Sequence, residues 1–308
     1  MKRVTNPARS ILKPRYYPYP LFFVLLIITL SACSSMQAVP VQTNGVLWKI
    51  SNNELRPSYL FGTIHSEDPA VVALNESLLI RLRLADTLAV EVIPDPESLQ
   101  YASKKMFFGN NQTLQGILPS ALYTQTVHEL SKHGINKDQA NMMKPWAAAT
   151  LLSMPPSETG LFLDMKLLQI ANQQSKAVIA LETMQEQIAV FDQLEMGMQI
   201  QILQATIDNL ENNPLWIKQT IDAWLSQDLH QIETVGEEFF SDLPPATATE
   251  LEKRLILNRN RNMAERIQPL LKTGNAFIAV GALHLTGEAG LINLLRKQGY
   301  SLEPVTTK

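Results

Sequence analysis

The sequence predicts an α/β fold in which a mixed, mainly parallel sheet carries a large helical middle region. Two short apolar runs, far apart in the chain, each end in Gly-x-x-His, at residues 62–65 and 281–284. Between them lies a long stretch of mostly helical spacing, from about 97 to 272. Because strands that are joined by helices usually pair in parallel, we expect a sheet built from two strand–Gly-x-x-His–helix–strand units.

The body of the chain begins with a predicted β-hairpin, followed by a helix and a buried strand. Apolar residues 46–50 and 59–61 flank a turn-rich segment, as a hairpin requires. Leucines at helical spacing predict a helix over 74–84, and the apolar run 87–93 predicts a strand that contains Glu91. A buried carboxylate is costly unless it is paired or ligating, so Glu91 is either a site residue or an edge-strand residue that faces water.

The rest of the chain is predicted to be mostly helical until its final unit. Helical spacing covers 97–154, with breaks at glycines and prolines, and a further helix is predicted over 161–174. The apolar run 177–181 predicts another short strand, which leads directly into Glu182. The final unit is predicted to be a strand, a helix and a short strand, over 276–280, 288–298 and 300–303.

The first 32 residues differ in composition from the rest of the chain. They hold five basic residues and no acidic one, and they include an apolar run that is short for a membrane span but typical of a signal peptide. Leu-Ser-Ala-Cys at 30–33 resembles a bacterial lipobox, which predicts cleavage before Cys33 and a lipid on that residue. An uncleaved anchor, or an ordinary signal peptide with an incidental cysteine, is the alternative. We expect a lipoprotein signal peptide over 1–32, a tether over 33–45 and one domain over 46–308.

The predicted mature part is acidic and is expected to lie in the cell envelope. Ser34 after the cysteine resembles the pattern of lipoproteins that are sorted to the outer membrane. Of the chain's 26 basic residues, five lie in the leader, which leaves 21 against 29 acidic residues. This balance argues against a nucleic-acid partner, because phosphate binding needs a basic face. Cys33 is the only cysteine, so the chain forms no internal disulfide.

Polar residues at the predicted strand ends form a candidate metal site. In open α/β sheets, ligands bind beyond the carboxyl ends of the strands. Four polar side chains are predicted at or near such ends: His65, Glu91, Glu182 and His284. Two imidazoles and a carboxylate are a common ligand set for a divalent transition metal. The alternative is that both histidines stabilise loops by hydrogen bonding.

Gly62 and Gly281, each three residues before its histidine, have an expected structural role. A glycine lacks Cβ, which lets a strand end turn tightly and lets other backbone approach it closely. We therefore expect both glycines to be backbone-turn residues that bring the two histidines to one site.

Three motifs together resemble the TraB/PrgY/GumN family, which is related to the TIKI metalloproteases. The motifs are Leu-Phe-Gly-Thr-Ile-His at 60–65, the segment 160–176 with Leu-Glu-Thr at 181–183 and Gln187, and Val-Gly-Ala-Leu-His-Leu at 280–285. The resemblance runs from about 46 to 305 and is carried by motifs in a fixed order. It implies a metal-dependent hydrolase, which the predicted lipid anchor would hold in the cell envelope.

The resemblance implies a peptide or protein as substrate and a divalent transition metal (Zn, Mn, Co or Fe) as cofactor. His65 and His284 match the family's metal-binding histidines, and Glu91 matches its acidic partner, as third ligand or general base. The residues do not decide among peptide, ester and glycan substrates. A non-catalytic envelope lipoprotein that binds a ligand or partner protein through the same cleft is the alternative function.

The same resemblance implies further catalytic and substrate-binding residues. Glu182 and Arg259 match catalytic positions, and an arginine there can bind a substrate carboxylate or a developing oxyanion. Asp164 and Asn260 match positions expected to bind substrate, although the repeated Arg-Asn at 259–262 leaves the register open. For Glu182 and Asp164, a charge that favours the positive end of a helix is the alternative role.

Two residues depart from the family pattern near the predicted site. Met263 stands where an aromatic residue is usual, and Leu283 stands where a small residue usually precedes the histidine. We expect the bulk of Leu283 to narrow the site.

Overall fold

The computed structural model describes residues 45–51, 55–109, 111–155 and 159–306. The predicted signal peptide over 1–32, the lipidation site Cys33 and the tether up to residue 44 lie outside the described residues. Within the described part of the chain, no helix combines the length and the apolar character needed to cross a bilayer.

A mixed sheet of six strands forms the centre of the described fold. The strands are β1 (Leu47–Ser51), β2 (Ser58–Thr63), β3 (Thr87–Val90), β4 (Ala177–Ala180), β5 (Ala276–Gly281) and β6 (Ser301–Pro304). Their order is β4-β3-β5-β2-β1-β6. The pairings β4–β3, β3–β5 and β5–β2 are parallel, whereas β1 pairs antiparallel with both β2 and β6. The predicted mixed, mainly parallel sheet and its opening hairpin are therefore confirmed.

Helices occupy most of the chain between the strands. The first group comprises α1 (Pro69–Val72), α2 (Glu76–Leu84), α3 (Pro96–Lys105), α4 (Leu114–Ile117), α5 (Ser120–Lys132), α6 (Lys137–Met142), α7 (Pro145–Leu152) and α8 (Leu163–Gln173). The second comprises α9 (Met184–Asp192), α10 (Met196–Asp208), α11 (Asn213–Ser226), α12 (Leu229–Ser241), α13 (Pro245–Glu252), α14 (Arg259–Thr273) and α15 (Leu291–Lys297). A π-helix (Lys253–Asn258) joins α13 to α14, and a 3-10 helix (Ala282–Leu285) follows β5. The predicted helical middle region is confirmed.

Several predicted boundaries differ from the observed ones for local reasons. Helix α2 begins at Glu76 rather than at 74, because the side chain of Asn75 caps it by accepting a hydrogen bond from Leu78 N at 2.9 Å. Strand β3 ends at Val90, so Glu91 follows the strand instead of lying inside it. The helix predicted over 288–298 is shorter, because Gly290 is the N-cap residue of α15.

The described residues bury two hydrophobic clusters. The first surrounds the sheet, where strand residues such as Leu60 and Phe277 pack against α2, α8, α14 and α15. The second lies among helices and includes Leu130, Leu152 and Leu203 from α5, α7 and α10. Each fully buried leucine of this kind contributes about 1.5–3 kcal/mol through removal of apolar surface from water. The middle region therefore has a core of its own in addition to the helices that cover the sheet.

The sheet brings the two Gly-x-x-His segments to one edge. Strands β2 and β5 pair in parallel up to the partners Thr63 and Gly281, so both segments leave neighbouring strands at the same end. Gly62 allows them to approach closely, because a Cβ at this position would lie 2.9 Å from Ala282 Cα. From α11, Trp224 donates a hydrogen bond through Nε1 to Gly62 O at 2.8 Å. The absence of a side chain at Gly62 is thus a packing requirement.

We expect the Gly62→Ala variant to lose about 1–3 kcal/mol in the free energy of unfolding, because its Cβ overlaps the turn that follows β5. Urea unfolding followed by tryptophan fluorescence measures this loss. Gly197→Ala is the control, since a Cβ at Gly197 in α10 meets no heavy atom within 4 Å. Alanine is the better helix former, so the control is expected to be neutral or more stable by up to about 1 kcal/mol. Equal losses in both variants would contradict the packing argument.

Candidate active site

One guanidinium joins two carboxylates at the ends of β3 and β4. Arg259 donates through Nε to both oxygens of Glu182, each at 3.0 Å, and through Nη2 to Glu182 Oε2 at 2.8 Å. The same Nη2 donates to Glu91 Oε2 at 2.6 Å. The exposed fraction of the side chain is 2% for Glu182, 11% for Arg259 and 22% for Glu91. The three residues therefore form a largely desolvated ion-pair network.

The position of Arg259 depends on an irregular helix. The π-helix over Lys253–Asn258 ends immediately before Arg259, whose Nη1 donates to Leu255 O at 3.1 Å. Short π-helical segments are rare and often occur at functional sites. The register is also determined here: Arg259 and the fully buried Asn260 point inward, whereas residues 261 and 262 are exposed. The inward pair is therefore the first Arg-Asn of the repeat.

Asn260 determines which nitrogen of His284 carries a proton. The amide nitrogen of Asn260 donates to Ala289 O at 2.8 Å, so its Oδ1 is the acceptor that faces His284 Nδ1 at 2.6 Å. The proton consequently lies on Nδ1, and Nε2 keeps its lone pair. Nε2 faces Glu91 Oε1 at a distance of 3.7 Å.

His284 is neutral at neutral pH. Burial lowers the pKa of its imidazole, the charge of Glu91 opposes this effect and the charge of Arg259 adds to it, and the net result is a pKa of about 4. The imidazole is only 5% exposed, so its charged form would be poorly solvated. His284 therefore presents an electron pair rather than a proton to Glu91.

Glu91 is held in its ionised form by donors from three directions. Its Oε1 accepts a hydrogen bond from Gly281 N at 2.6 Å, and its Oε2 accepts one from Gln187 Nε2 at 3.1 Å besides that from Arg259. Burial raises the pKa of this carboxyl, but the charge of Arg259 and the hydrogen bonds from Arg259 and Gly281 N bring it below its ordinary value. Glu91 is thus a carboxylate at neutral pH.

Gln187 is a site residue that the sequence reasoning did not assign. It lies on α9, whose start is fixed by a capping box in which Thr183 and Glu186 exchange hydrogen bonds. This start places Gln187 one turn into the helix, where its amide reaches Glu91. The usable signal was its place in the family motif, five residues after Glu182.

His65 lies in a second, more open pair. Its ring stacks on Phe162 with centroids 4.0 Å apart and an angle of 11° between the planes. Its Nδ1 lies 3.6 Å from Asp164 Oδ2, and the two side chains are 56% and 39% exposed. A hydrogen bond from Leu163 N to Ser66 O, at 3.0 Å, holds the start of α8 against this loop. The predicted metal ligand and the predicted substrate-binding residue are therefore neighbours.

The residues fit a divalent metal in part. Among the described residues there is no group of three or more His, Cys, Asp or Glu side chains arranged to hold a metal ion. His284 Nε2 and Glu91 Oε1 nevertheless present two facing electron pairs 3.7 Å apart. Metal bonds to such atoms are about 2.0–2.2 Å long, so one cation can contact both. Ligation of a single metal by His65, His284 and Glu91 stays a prediction.

The two departures from the family pattern are accommodated by packing. Met263 is fully buried in the cluster around the sheet. Leu283 packs on α12, where a Cβ at Gly236 would lie 2.5 Å from Leu283 Cδ1. The expectation that Leu283 narrows the site did not take this contact into account. The contact could not be seen in the sequence pattern, because the glycine that makes room for Leu283 lies 47 positions earlier in the sequence.

Comparison with known proteins relates the whole domain to one family. The sequence profile of the TraB/PrgY/gumN family matches residues 46–304. A protein named "Metalloprotease TIKI homolog", from Amphimedon queenslandica, is 25% identical over an alignment of 329 residues including gaps. The match covers 84% of this chain and 61% of that protein. "Metalloprotease TIKI1" of Danio rerio is 25% identical over 319 residues, covering 84% of this chain and 63% of that protein. "Uncharacterized protein YbaP" of Escherichia coli (strain K12) is 28% identical over 256 residues, and the match covers 78% of this chain and 88% of that protein.

The chain spans about three fifths of the length of the TIKI proteins that it matches. No solved structure matches the chain significantly.

Removal of the guanidinium of Arg259 is expected to destabilise the folded protein. We expect Arg259→Ala to lose about 3–5 kcal/mol in the free energy of unfolding, because it leaves two buried carboxylates without their counter-charge. Arg254→Ala is the control, since Arg254 forms only a partly exposed ion pair with Glu250 one turn away. Its expected loss is under about 1 kcal/mol. Urea unfolding at neutral pH measures both, and similar losses would show that the network carries no special stability.

The stability of the protein is expected to depend on His284 below neutral pH. Since the pKa of His284 is about 4 in the fold and about 6.5 in an unfolded chain, the unfolded chain binds the proton more readily between these values. The stabilising contribution is therefore complete above pH 6.5 and is lost as the pH falls through about 4. In chelator-treated protein, the stability difference between wild type and His284→Gln should shrink by about 3 kcal/mol from pH 7 to pH 4. A difference that stays constant over this range would contradict the argument.

Proposed function

The chain belongs to the TraB/PrgY/gumN family, and from this membership and the site geometry we propose that it is a metal-dependent hydrolase of peptides or proteins. The observation that carries the proposal is a neutral imidazole whose free Nε2 faces an ionised carboxylate beyond the ends of parallel strands. Relatives that are named metalloproteases support the same class of reaction.

The charge states of His284 and Glu91 suit ligands better than proton carriers. A general base works best when its pKa is close to the working pH, whereas both of these groups have a pKa below the ordinary value. At neutral pH they therefore present electron pairs. His284 Nε2 and Glu91 Oε1 would hold a divalent ion such as Zn, Mn, Co or Fe, with His65 as the predicted third ligand. When bound, such an ion supplies a Lewis acid and makes its bound water more acidic.

The remaining buried residues position these two groups. Asn260 fixes the tautomer and the ring orientation of His284, a role that outer hydrogen-bond partners commonly have in metal sites. Arg259 holds Glu91 from one side, and Glu182 holds Arg259. Because Glu182 is almost completely buried and bonded to Arg259, we assign both residues a positioning role in place of the predicted contact with substrate.

The open side of the site is formed by His65, Asp164 and Phe162. Both ionisable side chains of this group are more than one third exposed, so a substrate can reach them from solvent. We assign Asp164 to binding substrate or orienting His65, and Phe162 to the flat surface beside it.

The cellular location is part of the same proposal. The basic leader, the apolar run and Cys33 support a protein that is held in the cell envelope, at the outer membrane, through a lipid on Cys33.

A second candidate is a non-catalytic envelope protein that binds a ligand or partner through the same cleft. One observation favours it: both oxygens of Glu91 already accept hydrogen bonds from Gly281, Gln187 and Arg259. Such a network could serve only to stabilise the strand ends.

Metal content separates the two candidates. We expect protein purified without chelator to carry close to one equivalent of a divalent transition metal, and we expect the His284→Ala variant to lose it. His230→Ala is the control, because His230 lies on the exposed side of α12. Metal-loaded wild type should cleave members of a peptide library, as read by mass spectrometry, and chelator should abolish cleavage. If neither protein binds any of the candidate ions after their addition, the hydrolase proposal fails and the binding function takes its place.

A further inference from the structure

A further cavity lies among helices, and none of its lining residues belongs to the candidate active site. Helices α10, α11 and α12 line a cavity of about 420 Å³, within the range of about 300–1,000 Å³ that is typical of ligand sites. Its walls are largely apolar and include the rings of Trp216 and Phe239, whose centroids are 6.1 Å apart. Ile202 and the partly exposed Leu215 extend this apolar surface. The space suits one large apolar group.

The rim of the cavity is acidic. Glu238 and Asp242 lie one helical turn apart at the end of α12, and both are exposed. The described residues that line the cavity include no lysine, arginine or histidine. Neither carboxylate forms an ion pair with any basic residue in the described part of the chain. The rim therefore carries two negative charges that have no basic partner among the described residues.

Three hydrogen-bond donors in the walls are already used within the protein. Trp216 Nε1 donates to Val235 O at 3.3 Å, Thr206 Oγ1 donates to Ile202 O at 2.9 Å, and Asn213 Nδ2 donates to Ser153 O at 3.0 Å. The cavity thus offers acceptors at its rim and apolar surface within. A ligand with an apolar body and a positive charge beside it is complementary to both features.

We propose that this cavity binds a peptide segment in which a large apolar side chain lies next to a lysine or arginine. The apolar side chain packs against the exposed faces of the contacting rings of Trp216 and Phe239, and the cationic side chain meets Glu238 and Asp242. The proposal rests on the proposed function in one respect, since it takes the peptide to be the substrate of the hydrolase site.

Helix α12 connects this cavity to the candidate active site. Phe239 follows Gly236 by three residues, which corresponds to slightly less than one helical turn, or about 4.5 Å along the axis. Gly236 in turn receives the side chain of Leu283, the residue before His284. A lining residue of the cavity and the glycine that contacts the turn before His284 thus lie less than one helical turn apart on the same helix. In this proposal the cavity selects substrates by a side chain some residues away from the scissile bond.

Binding of blocked dipeptides tests the proposed charge and shape preference. The probes are acetyl-Phe-Lys-amide, acetyl-Phe-Glu-amide and acetyl-Ala-Lys-amide, in which only the side chains differ in charge or size. The readout is the indole N–H NMR signal of Trp216, one of four tryptophans, identified by its loss in Trp216→Phe. We expect acetyl-Phe-Lys-amide to bind with a Kd about tenfold lower than either other probe. Equal affinities for Phe-Lys and Phe-Glu, or no shift of the Trp216 signal, would overturn the proposal.

Charge-removing variants at the rim test the residues themselves. Glu238→Gln and Asp242→Asn are each expected to raise the Kd of acetyl-Phe-Lys-amide about two- to fivefold, as befits exposed charges. Glu237→Gln is the matched control, because Glu237 is an exposed neighbour on α12 that does not line the cavity. All three changes are on the surface and preserve shape, so loss of folding is not expected. An equal effect of the control variant would show that only the overall charge matters and would overturn the assignment.

Two further arms separate this proposal from its alternatives. Octylammonium carries an apolar chain and a cation but no peptide groups, so tighter binding of it than of acetyl-Phe-Lys-amide would overturn a peptide as the occupant. In the His284→Ala variant, the Kd of acetyl-Phe-Lys-amide is expected to stay unchanged. If binding persists while wild type shows neither metal nor hydrolysis, the hydrolase proposal fails and the cavity remains a peptide site. If His284→Ala abolishes binding, the Trp216 signal reports on the active site and the separate cavity proposal is wrong.

Discussion

The bridge that Arg259 forms between Glu91 and Glu182 is the interaction on which the rest of the site depends. Two carboxylates at the ends of adjacent strands would repel each other in a poorly solvated space, and one guanidinium offers enough donors to satisfy both. A lysine has the same charge but no planar fork, so it would not bridge the two groups in this way. Helix α14 therefore stabilises the paired ends of β3 and β4 by placing its first residue between their two carboxylates.

The same bridge determines the chemistry of the imidazole. Arg259 lies close enough to His284 to disfavour its protonation, while burial acts in the same direction. Asn260, the next residue along the chain, fixes the neutral ring with its proton on the nitrogen that points away from Glu91. Two consecutive residues of one helix thus control a carboxylate and a histidine that come from different strands. This control explains why the helix start, with its preceding π-helical segment, matters as much as the strands themselves.

Local sequence patterns were sufficient to predict the sheet and the two turns that carry the histidines. The apolar runs, the hairpin and the two Gly-x-x-His turns predicted the mixed sheet, because strand periodicity and turn residues act over a few positions. The side-chain contacts between residues far apart in the sequence could not be predicted from the residues alone. Arg259 contacts carboxylates 77 and 168 positions earlier in the sequence, and the π-helix before it leaves no periodic signal. Likewise, the pairing of His65 with Asp164 depends on where α8 packs.

Helices α11 and α12 also shape the candidate site. Trp224 of α11 donates a hydrogen bond to the carbonyl of Gly62, and Gly236 of α12 receives the side chain of Leu283. These two consecutive helices therefore contact both Gly-x-x-His turns, one through a hydrogen bond and the other through packing. Because the turns also touch each other across Gly62, a displacement of either helix would be transmitted to the loop that carries His284. The geometry of the candidate site consequently depends on the sheet and on helices α11 and α12 together. Substitutions far from Glu91 in the sequence can therefore alter it.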